Sequence, residues 1–286
     1  MPKKVTLFEV GPRDGLQNEK VFVPTSKKVA LIDHLSDAGF KKIEAASFVS
    51  PKWVPQMADG AEVMAGISRN TKVTYAALTP NMQGYERALE AKIDEIAIFG
   101  SASEGFSQKN INASIAESLE RFKPVAKAAT KDKIPMRGYV SCVVRCPYDG
   151  NISPSAVADI ANELLDMGCY EISLGDTIGA GKPETISKML EVVIKKIPPE
   201  KLAGHYHDTG DKAILNIEAS LEFGLLTFDS AIGGLGGCPY APGAKGNVST
   251  LKVHDRLTEL GYETGLDRDK LVTASDYLTT TMADLA

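Results

Sequence analysis

The chain contains 286 residues, of which 43% are apolar and 24% are charged. This composition is typical of a globular protein with a sizeable core, and it excludes disordered and collagen-like chains. The 32 basic and 37 acidic residues give a net charge of −5, so the chain lacks the broad cationic surface that nucleic acid or an anionic membrane requires. We therefore expect neither nucleic acid nor a membrane as a partner.

Cysteine content and the first segment of the chain indicate a reducing, cytoplasmic location. Four cysteines in so long a chain do not form a disulfide framework, and Cys142 and Cys146 lack the two-residue spacer of a zinc or redox pair. The first apolar run stops at Glu9, far short of a signal-peptide core, and no stretch reaches the roughly 18 apolar residues of a membrane span. A cytoplasmic protein is therefore predicted.

Eight short β-rich segments alternate with segments of helical periodicity. The β-rich segments cover residues 5–10, 42–48, 73–78, 95–100, 137–143, 170–174, 202–206 and 227–232. Dividing 286 residues by eight gives about 36 per unit, the size of a strand, a loop and a crossover helix. Since no flexible linker divides the chain, we predict one α/β domain over residues 1–286, a (β/α)8 TIM barrel.

An open doubly wound sheet would also alternate strands and helices, and it is the alternative fold. The segment after the first strand, however, lacks the glycine spacing that cradles a pyrophosphate. Barrel enzymes carry their chemistry on the loops that follow the strands, so polar residues there are the candidates for function.

Two of the four histidines, His205 and His207, stand at the end of the seventh predicted strand. Residues i and i+2 of a strand share a face, so both imidazoles can point into the barrel mouth. Asp14 follows the first strand and can face them. Two imidazoles and a carboxylate suit Mg²⁺, Mn²⁺, Fe²⁺, Co²⁺ or Zn²⁺, which predicts a metal site; two hydrogen-bonded structural histidines are the alternative. His34 and His254 are predicted to be surface residues.

Arg13 stands beside Asp14 and supplies a permanent planar cation that can meet a developing oxyanion. Glu44, on the second strand, is placed to pair with Arg13 and hold it in position. A solvated glutamate at the barrel rim is the alternative for Glu44.

The segment 233–247, after the eighth strand, contains six glycines. So many glycines cost backbone entropy, which predicts a loop that moves or lets its backbone approach a ligand closely. Cys238, in this segment, is interpreted as a reactive thiol rather than an inert buried one. Asn247 can offer an amide oxygen to the metal, or it can cap the next helix.

Together these segments resemble the 3-hydroxy-3-methylglutaryl-CoA lyases, within a group of metal-dependent (β/α)8 lyases and Claisen-type synthases. An Arg-Asp pair after strand 1, a glutamate at strand 2 and a His-x-His after strand 7 mark the group. The segment 234–241 is similar to the lyases' own signature, and the likeness extends through residues 48–56, 137–142 and 174–179. Residues 210–212 and Arg145 depart from the family pattern. Trp53, the only tryptophan, is expected to pack.

The resemblance implies cleavage of 3-hydroxy-3-methylglutaryl-CoA to acetoacetate and acetyl-CoA, a reaction of leucine degradation and ketone-body formation. It implies a divalent cation, Mg²⁺ or Mn²⁺, bound by Asp14, His205, His207 and Asn247. The expected partner is an acyl-CoA substrate, and a homodimer is predicted.

The resemblance also implies the roles of the other site residues. Arg13, held by Glu44, would meet the charge on the departing enolate. Asp14 is the candidate base, and Cys238 would deliver the proton that yields acetyl-CoA. The residues expected to line the substrate pocket are Arg13, Ser47, Asp176 and Thr177, with Lys20 meeting an anionic part of CoA.

Three rival functions remain at this point. A Claisen-type synthase or aldolase of the same group would share the metal site and act on another acyl-CoA or 2-keto acid, although such synthases usually carry further C-terminal segments. Two histidines and a carboxylate also describe non-haem Fe(II) oxygenases, which normally use an all-β fold. A barrel retained only for binding would need neither metal nor turnover.

Overall fold

The computed structural model describes residues 3–236 and 246–285. Eight parallel strands, β1 to β8, close into a barrel in which each strand pairs with its sequence neighbour and β8 pairs with β1. Their bounds are Thr6–Glu9, Lys42–Ser47, Thr74–Leu78, Glu95–Ser101, Met136–Ser141, Ile172–Asp176, Leu202–Tyr206 and Thr227–Ser230. All eight coincide with the predicted β-rich segments, which confirms the (β/α)8 barrel.

Helices follow every strand and cover the outside of the barrel. The helices α1 to α10 span Thr25–Asp37, Gly60–Gly66, Met82–Glu90, Glu104–Ile111, Ile115–Asp132, Pro154–Asp166, Pro183–Val193, Ala213–Glu222, Thr250–Glu259 and Arg268–Leu285. A two-stranded hairpin, Arg145–Cys146 with Gly150–Asn151, is inserted between β5 and α6. Among the described helices, none is both long and apolar enough to cross a membrane.

Local sequence signals explain where the helices begin. The side chain of Ser153 accepts a hydrogen bond from the Ala156 N–H, and a proline stands at the first helical position of α6. Ser114 and Glu117 cap α5 reciprocally, each side chain bonding the other's backbone N–H. The apolar faces of these helices pack on the outward faces of the strands, where most of the buried apolar residues form one cluster.

Glu9, at the end of β1, joins three segments at the mouth of the barrel. Its Oε1 accepts the backbone N–H groups of Gly11 and Ile232, each at 2.8 Å. Its Oε2 lies 2.7 Å from Thr250 Oγ1, which in turn lies 2.9 Å from Ser230 Oγ. Because a hydroxyl carries one hydrogen, Thr250 donates it to Glu9 Oε2 when Glu9 is ionised. When Glu9 is protonated, Glu9 donates to Thr250 and Thr250 donates to Ser230.

Full burial raises the pKa of Glu9 from 4.5 to about 7, against the lowering effect of its three hydrogen bonds. Because the folded pKa exceeds the unfolded one, this group's contribution to stability is complete below pH 4.5 and is lost as the pH rises to about 7. The loss is on the order of 3 kcal/mol.

Glu9→Gln retains the hydrogen-bonding pattern of the neutral carboxyl. We therefore expect the free energy of unfolding of the variant to increase relative to that of the wild type as the pH rises from 4.5 to 8. Urea unfolding of both proteins at several pH values measures the difference. A constant difference in the free energy of unfolding across this range would show that the buried carboxyl does not titrate there.

Candidate active site

The loop after β1 carries the first two candidate residues on a single π-helical turn, Gly11–Gly15. The backbone N–H groups of Arg13, Asp14 and Gly15 all donate to the Val10 carbonyl, at 2.7 to 3.2 Å. Such turns are rare in proteins, and those that occur are often found at functional sites. The turn brings the side chains of Arg13 and Asp14 to the mouth of the barrel.

Arg13 is held by two carboxylates, as the sequence predicted for Glu44. Its Nε donates to Glu44 Oε2 at 2.6 Å, Nη2 pairs with the same oxygen, and Nη1 lies 2.6 Å from Asp14 Oδ1. A shift of strand register between Glu44 and Ala46 marks an irregularity in β2 at this point. Burial alone would lower the pKa of Arg13, but the charges of Glu44 and Asp14 raise it, so the guanidinium stays charged.

Glu44 is fully buried, so the prediction of a pairing residue is confirmed and the alternative of a solvated rim glutamate is wrong. Burial raises its pKa, although the charge of Arg13 acts in the opposite direction. Its second oxygen, Oε1, is buried and has no hydrogen-bond partner within the described part of the chain. A buried oxygen in that state is able to accept a hydrogen bond from a bound ligand.

Asp14, His205 and His207 converge as predicted. One ligand atom from each residue lies within 4.8 Å of the other two, and the two imidazole rings are 5.5 Å apart. His207 Nδ1 is buried without a hydrogen-bond partner among residues 3–236 and 246–285. A buried nitrogen without a hydrogen-bond partner costs stability unless a ligand contacts it, so the cluster fits a divalent metal ion.

The charge states of two of the three cluster residues, Asp14 and His207, favour metal ligation. Burial would raise the pKa of Asp14, but the charge of Arg13, supported by His205, His207 and Asn247, lowers it. Burial and the neighbouring His205 lower the pKa of His207 to about 4. At neutral pH the site therefore presents a carboxylate and a neutral imidazole, the forms that bind metals.

Asn247 lies beside this cluster. Its Nδ2 donates to Asp14 Oδ2 at 2.7 Å and to the Leu235 carbonyl at 3.1 Å, which leaves its Oδ1 as the atom suited to a cation. Gly236 has a φ of +100°, and a Cβ there would stand 2.5 Å from Asn247 Nδ2. Only glycine allows this close approach.

Asp229, on β8, was missed by the sequence analysis. Its Oδ2 lies 3.0 Å from His205 Nδ1 and accepts the Ser173 hydroxyl at 2.7 Å. Arg137 donates to both of its oxygens, at 2.8 and 3.1 Å, and Glu171 accepts from Arg137 Nε at 2.8 Å. An ionisable residue inside a predicted strand, opposite a candidate ligand, was the signal that could have identified it.

Four further predicted residues lie at the ends of strands or in the loops that follow them. Ser47 is buried at the end of β2, where its Oγ accepts the Val49 N–H at 3.3 Å. Asp176, fully buried, accepts the N–H groups at positions 180 and 181 and so shapes its own loop. Thr177 Oγ1 lies 3.4 Å from Cys142 Sγ. Lys20 is exposed in the loop between β1 and α1.

Two predictions about side-chain environment are wrong. Trp53 does not pack: it is 83% exposed, in a turn where its N–H donates to the Ser50 carbonyl. His254 is buried rather than on the surface, and its Nδ1 lies 2.8 Å from Thr264 Oγ1. Arg145 is exposed on the inserted hairpin. Cys238 lies outside the described residues.

The fold and the cluster define the class of protein: a (β/α)8 barrel with side chains suited to a divalent metal at the carboxyl ends of its strands. The HMGL-like family matches residues 4–278. The chain belongs to this family and is a carbon–carbon lyase.

Named relatives and solved structures resemble the chain over nearly its whole length. The 3-hydroxy-3-isohexenylglutaryl-CoA/hydroxy-methylglutaryl-CoA lyase of Pseudomonas aeruginosa is 56% identical over 274 residues, which cover 96% of this chain and 91% of that protein. The cytoplasmic 3-hydroxy-3-methylglutaryl-CoA lyase of Mus musculus is 54% identical, covering 97% and 81%. The crystal structure of the HMG-CoA lyase from Brucella melitensis superposes with a TM-score of 0.96 at 59% identity, covering 97% and 98%.

Proposed function

We propose that this lyase cleaves 3-hydroxy-3-methylglutaryl-CoA to acetoacetate and acetyl-CoA. The observation that carries the proposal is the Asp14, His205 and His207 cluster beside Arg13, in a chain more than half identical to relatives named for that substrate. Loss of the proton on the C3 hydroxyl lets the C2–C3 bond break. The oxygen electron pair then forms the ketone of acetoacetate, and the bonding pair passes to the thioester enolate.

Four residues would hold the cation: Asp14, His205, His207 and Asn247. Imidazole, carboxylate and amide ligands, with no thiolate among them, suit a divalent cation. The likeness to the 3-hydroxy-3-methylglutaryl-CoA lyases leads us to propose Mg²⁺ or Mn²⁺. When bound, such an ion lowers the pKa of a hydroxyl group and neutralises the alkoxide. The carboxylate of Asp14 is ionised at neutral pH, because its pKa is lowered, so it is able to accept the substrate proton.

Arg13 would stabilise the enolate. Nε, Nη1 and Nη2 each use an N–H in the contacts to Glu44 and Asp14, and a guanidinium has five such groups. The remaining N–H groups are the candidates for the thioester oxygen as it acquires negative charge. Glu44 acts on this step by fixing the orientation of Arg13.

The pocket and the CoA moiety would involve residues around the rim. Ser47, Asp176 and Thr177 lie at or just beyond the ends of β2 and β6, which is where a substrate held at the barrel mouth would contact the protein. Lys20 is exposed in the loop after β1, and an exposed ammonium there suits a phosphate of CoA.

Cys238 would return the proton to the enolate, so we expect iodoacetamide to label it first and to inactivate the enzyme. Cys142, Cys146 and Cys169 are at most 5% exposed, and burial raises the pKa of Cys169 to about 12. A non-cleavable substrate analogue should slow the labelling, and Cys238→Ser should lose most turnover, because a hydroxyl is a far weaker acid than a thiol. Peptide mapping identifies the labelled residue; a serine variant with full turnover would remove the proton-delivery role.

The rival within the family group is a synthase, and a substrate panel separates the two. Purified protein with Mg²⁺ or Mn²⁺ is incubated with 3-hydroxy-3-methylglutaryl-CoA, with its 3-isohexenyl analogue, and with acetyl-CoA plus 2-keto acids. We expect the highest kcat/KM for 3-hydroxy-3-methylglutaryl-CoA and no CoA release from the acetyl-CoA mixtures. CoA release from acetyl-CoA and a 2-keto acid, with the glutaryl substrates untouched, would assign a synthase instead.

Three broader proposals accompany this function. Curated relatives include forms named cytoplasmic in mouse and mitochondrial in chicken. The cysteines at positions 146 and 169, which form no disulfide among the described residues, support the cytoplasm for this chain. Residues 1–286 are proposed as one catalytic domain. The homodimer, and the expectation of no nucleic-acid or membrane partner, stay predictions.

A further inference from the structure

We propose that Asp229 is a positioning residue that decides which ring nitrogen His205 presents to the divalent cation. The proposal rests on the metal site of the proposed function and adds a residue that the family motifs do not include. His205 and Asp229 are register partners on the adjacent strands β7 and β8, and both side chains are buried. The backbone of the barrel therefore fixes their separation.

The two nitrogens of His205 face two different carboxylates. Nδ1 lies 3.0 Å from Asp229 Oδ2, and Nε2 lies 3.9 Å from Asp14 Oδ2. The first distance is that of a hydrogen bond, whereas the second leaves a gap on the side of the predicted ligands. Nε2 is therefore the nitrogen available to a cation.

The surroundings of Asp229 make it an acceptor only. Arg137 donates to Oδ1 at 2.8 Å and to Oδ2 at 3.1 Å, and the Ser173 hydroxyl donates to Oδ2 at 2.7 Å. A carboxylate held by these donors stays ionised and has no proton to give, so His205 Nδ1 carries the hydrogen between them. In the neutral imidazole the lone pair is then on Nε2 and points toward Asp14.

Arg137 cannot turn away from Asp229, because its other contacts hold it. Nε donates to Glu171 Oε1 at 2.8 Å, Nη1 donates to the Tyr139 hydroxyl at 3.1 Å, and the guanidinium carbon lies 4.3 Å from the centre of the Phe8 ring. The side chain is fully buried, so leaving one of its N–H groups without an acceptor is costly. These contacts form a row of four side chains that runs from inside the barrel to its mouth: Glu171, Arg137, Asp229 and His205. Because each member holds the next, the orientation of the His205 ring is fixed.

This arrangement predicts what an amide does in place of the carboxylate. In Asp229→Asn the single amide oxygen is required by Arg137, so the NH2 group turns toward His205 Nδ1 and donates to it. The imidazole hydrogen then moves to Nε2, which loses the lone pair needed for the cation. We expect Mn²⁺ to bind the variant about 10- to 100-fold more weakly, the usual cost of losing a partner of a metal-bound histidine.

Titration with Mn²⁺, followed by electron paramagnetic resonance of the free ion, measures this affinity without substrate. The matched control is Glu171→Gln, which alters the same row on the far side of Arg137 and keeps an acceptor for Nε; we expect it to bind Mn²⁺ like the wild type. An Asp229→Asn protein that is folded and binds Mn²⁺ as tightly as the wild type would overturn the proposal.

Nitrogen-15 NMR of the Mg²⁺-loaded wild type tests the same point without the Asp229 variant. We expect Nδ1 of His205 to be protonated and Nε2 to be unprotonated, with the signals assigned by their loss in His205→Gln. Protonation of Nε2 instead would overturn the proposal. Because neither measurement uses an acyl-CoA, a wild type that orders His205 in this way but does not cleave 3-hydroxy-3-methylglutaryl-CoA would reject only the proposed substrate.

Discussion

Arg13→Met should lower kcat by about 10² to 10³, the usual scale for losing one donor to a developing oxyanion, with a much smaller change in KM. The reason is that Arg13 is held in place before substrate arrives, by Glu44 on one side and Asp14 on the other. A group that is already oriented at the position where charge appears stabilises the transition state more strongly than it stabilises the bound substrate. Steady-state kinetics with 3-hydroxy-3-methylglutaryl-CoA measures both constants.

The matched control is Arg121→Met, since Arg121 is an exposed arginine on α5. We expect it to leave kcat and KM unchanged. Glu44→Gln should reproduce part of the Arg13 effect, because it removes the charge that orients the guanidinium. A thousandfold rise in KM for Arg13→Met with kcat intact would mean that Arg13 only binds the substrate, and its assignment to the bond-breaking step would be wrong.

Loss of the metal or of one of its ligands should also lower turnover strongly. Dialysis against a chelator should abolish turnover, and Mg²⁺ or Mn²⁺ should restore it in the wild type. In His205→Ala or His207→Ala, we expect Mn²⁺ affinity to fall by more than the roughly 10- to 100-fold that loss of a supporting residue costs. Activity should then fail to recover at the metal concentration that saturates the wild type.

His254→Ala is the control for this experiment, because His254 is also a buried histidine but bonds Thr264 away from the cluster. Its stability should fall while its Mn²⁺ affinity stays that of the wild type. Full activity of the chelator-treated wild type, with metal shown to be absent, would contradict the metal-dependent mechanism.

The barrel was predictable from the sequence because its strands and helices differ in hydrophobic period. Both ends of each predicted β-rich segment lie within two residues of the ends of the observed strand. The convergence of Asp14, His205 and His207 was also predictable: alternation along a strand and the closure of strands 1 and 8 bring them to one edge. Both inferences use backbone geometry alone.

Side-chain environments were less predictable, for a physical reason. Trp53 is apolar, yet the turn after β2 leaves it 83% exposed. The sequence of the turn does not determine whether another segment of the chain packs against its indole ring. His254 is buried because α9 places it against Thr264, ten residues further along the chain. The role of Asp229 depends on contacts with Arg137 and Ser173 on other strands, which only the closed barrel brings within hydrogen-bonding distance.

The most direct measurement is the time course of products from 3-hydroxy-3-methylglutaryl-CoA with the Mg²⁺- or Mn²⁺-loaded wild type. We expect acetoacetate and acetyl-CoA to appear in equal amounts, at a rate that falls to background when the metal is removed and returns when it is restored. Failure to form either product, by a folded protein that binds Mn²⁺ at the Asp14, His205 and His207 cluster, would contradict the proposed reaction.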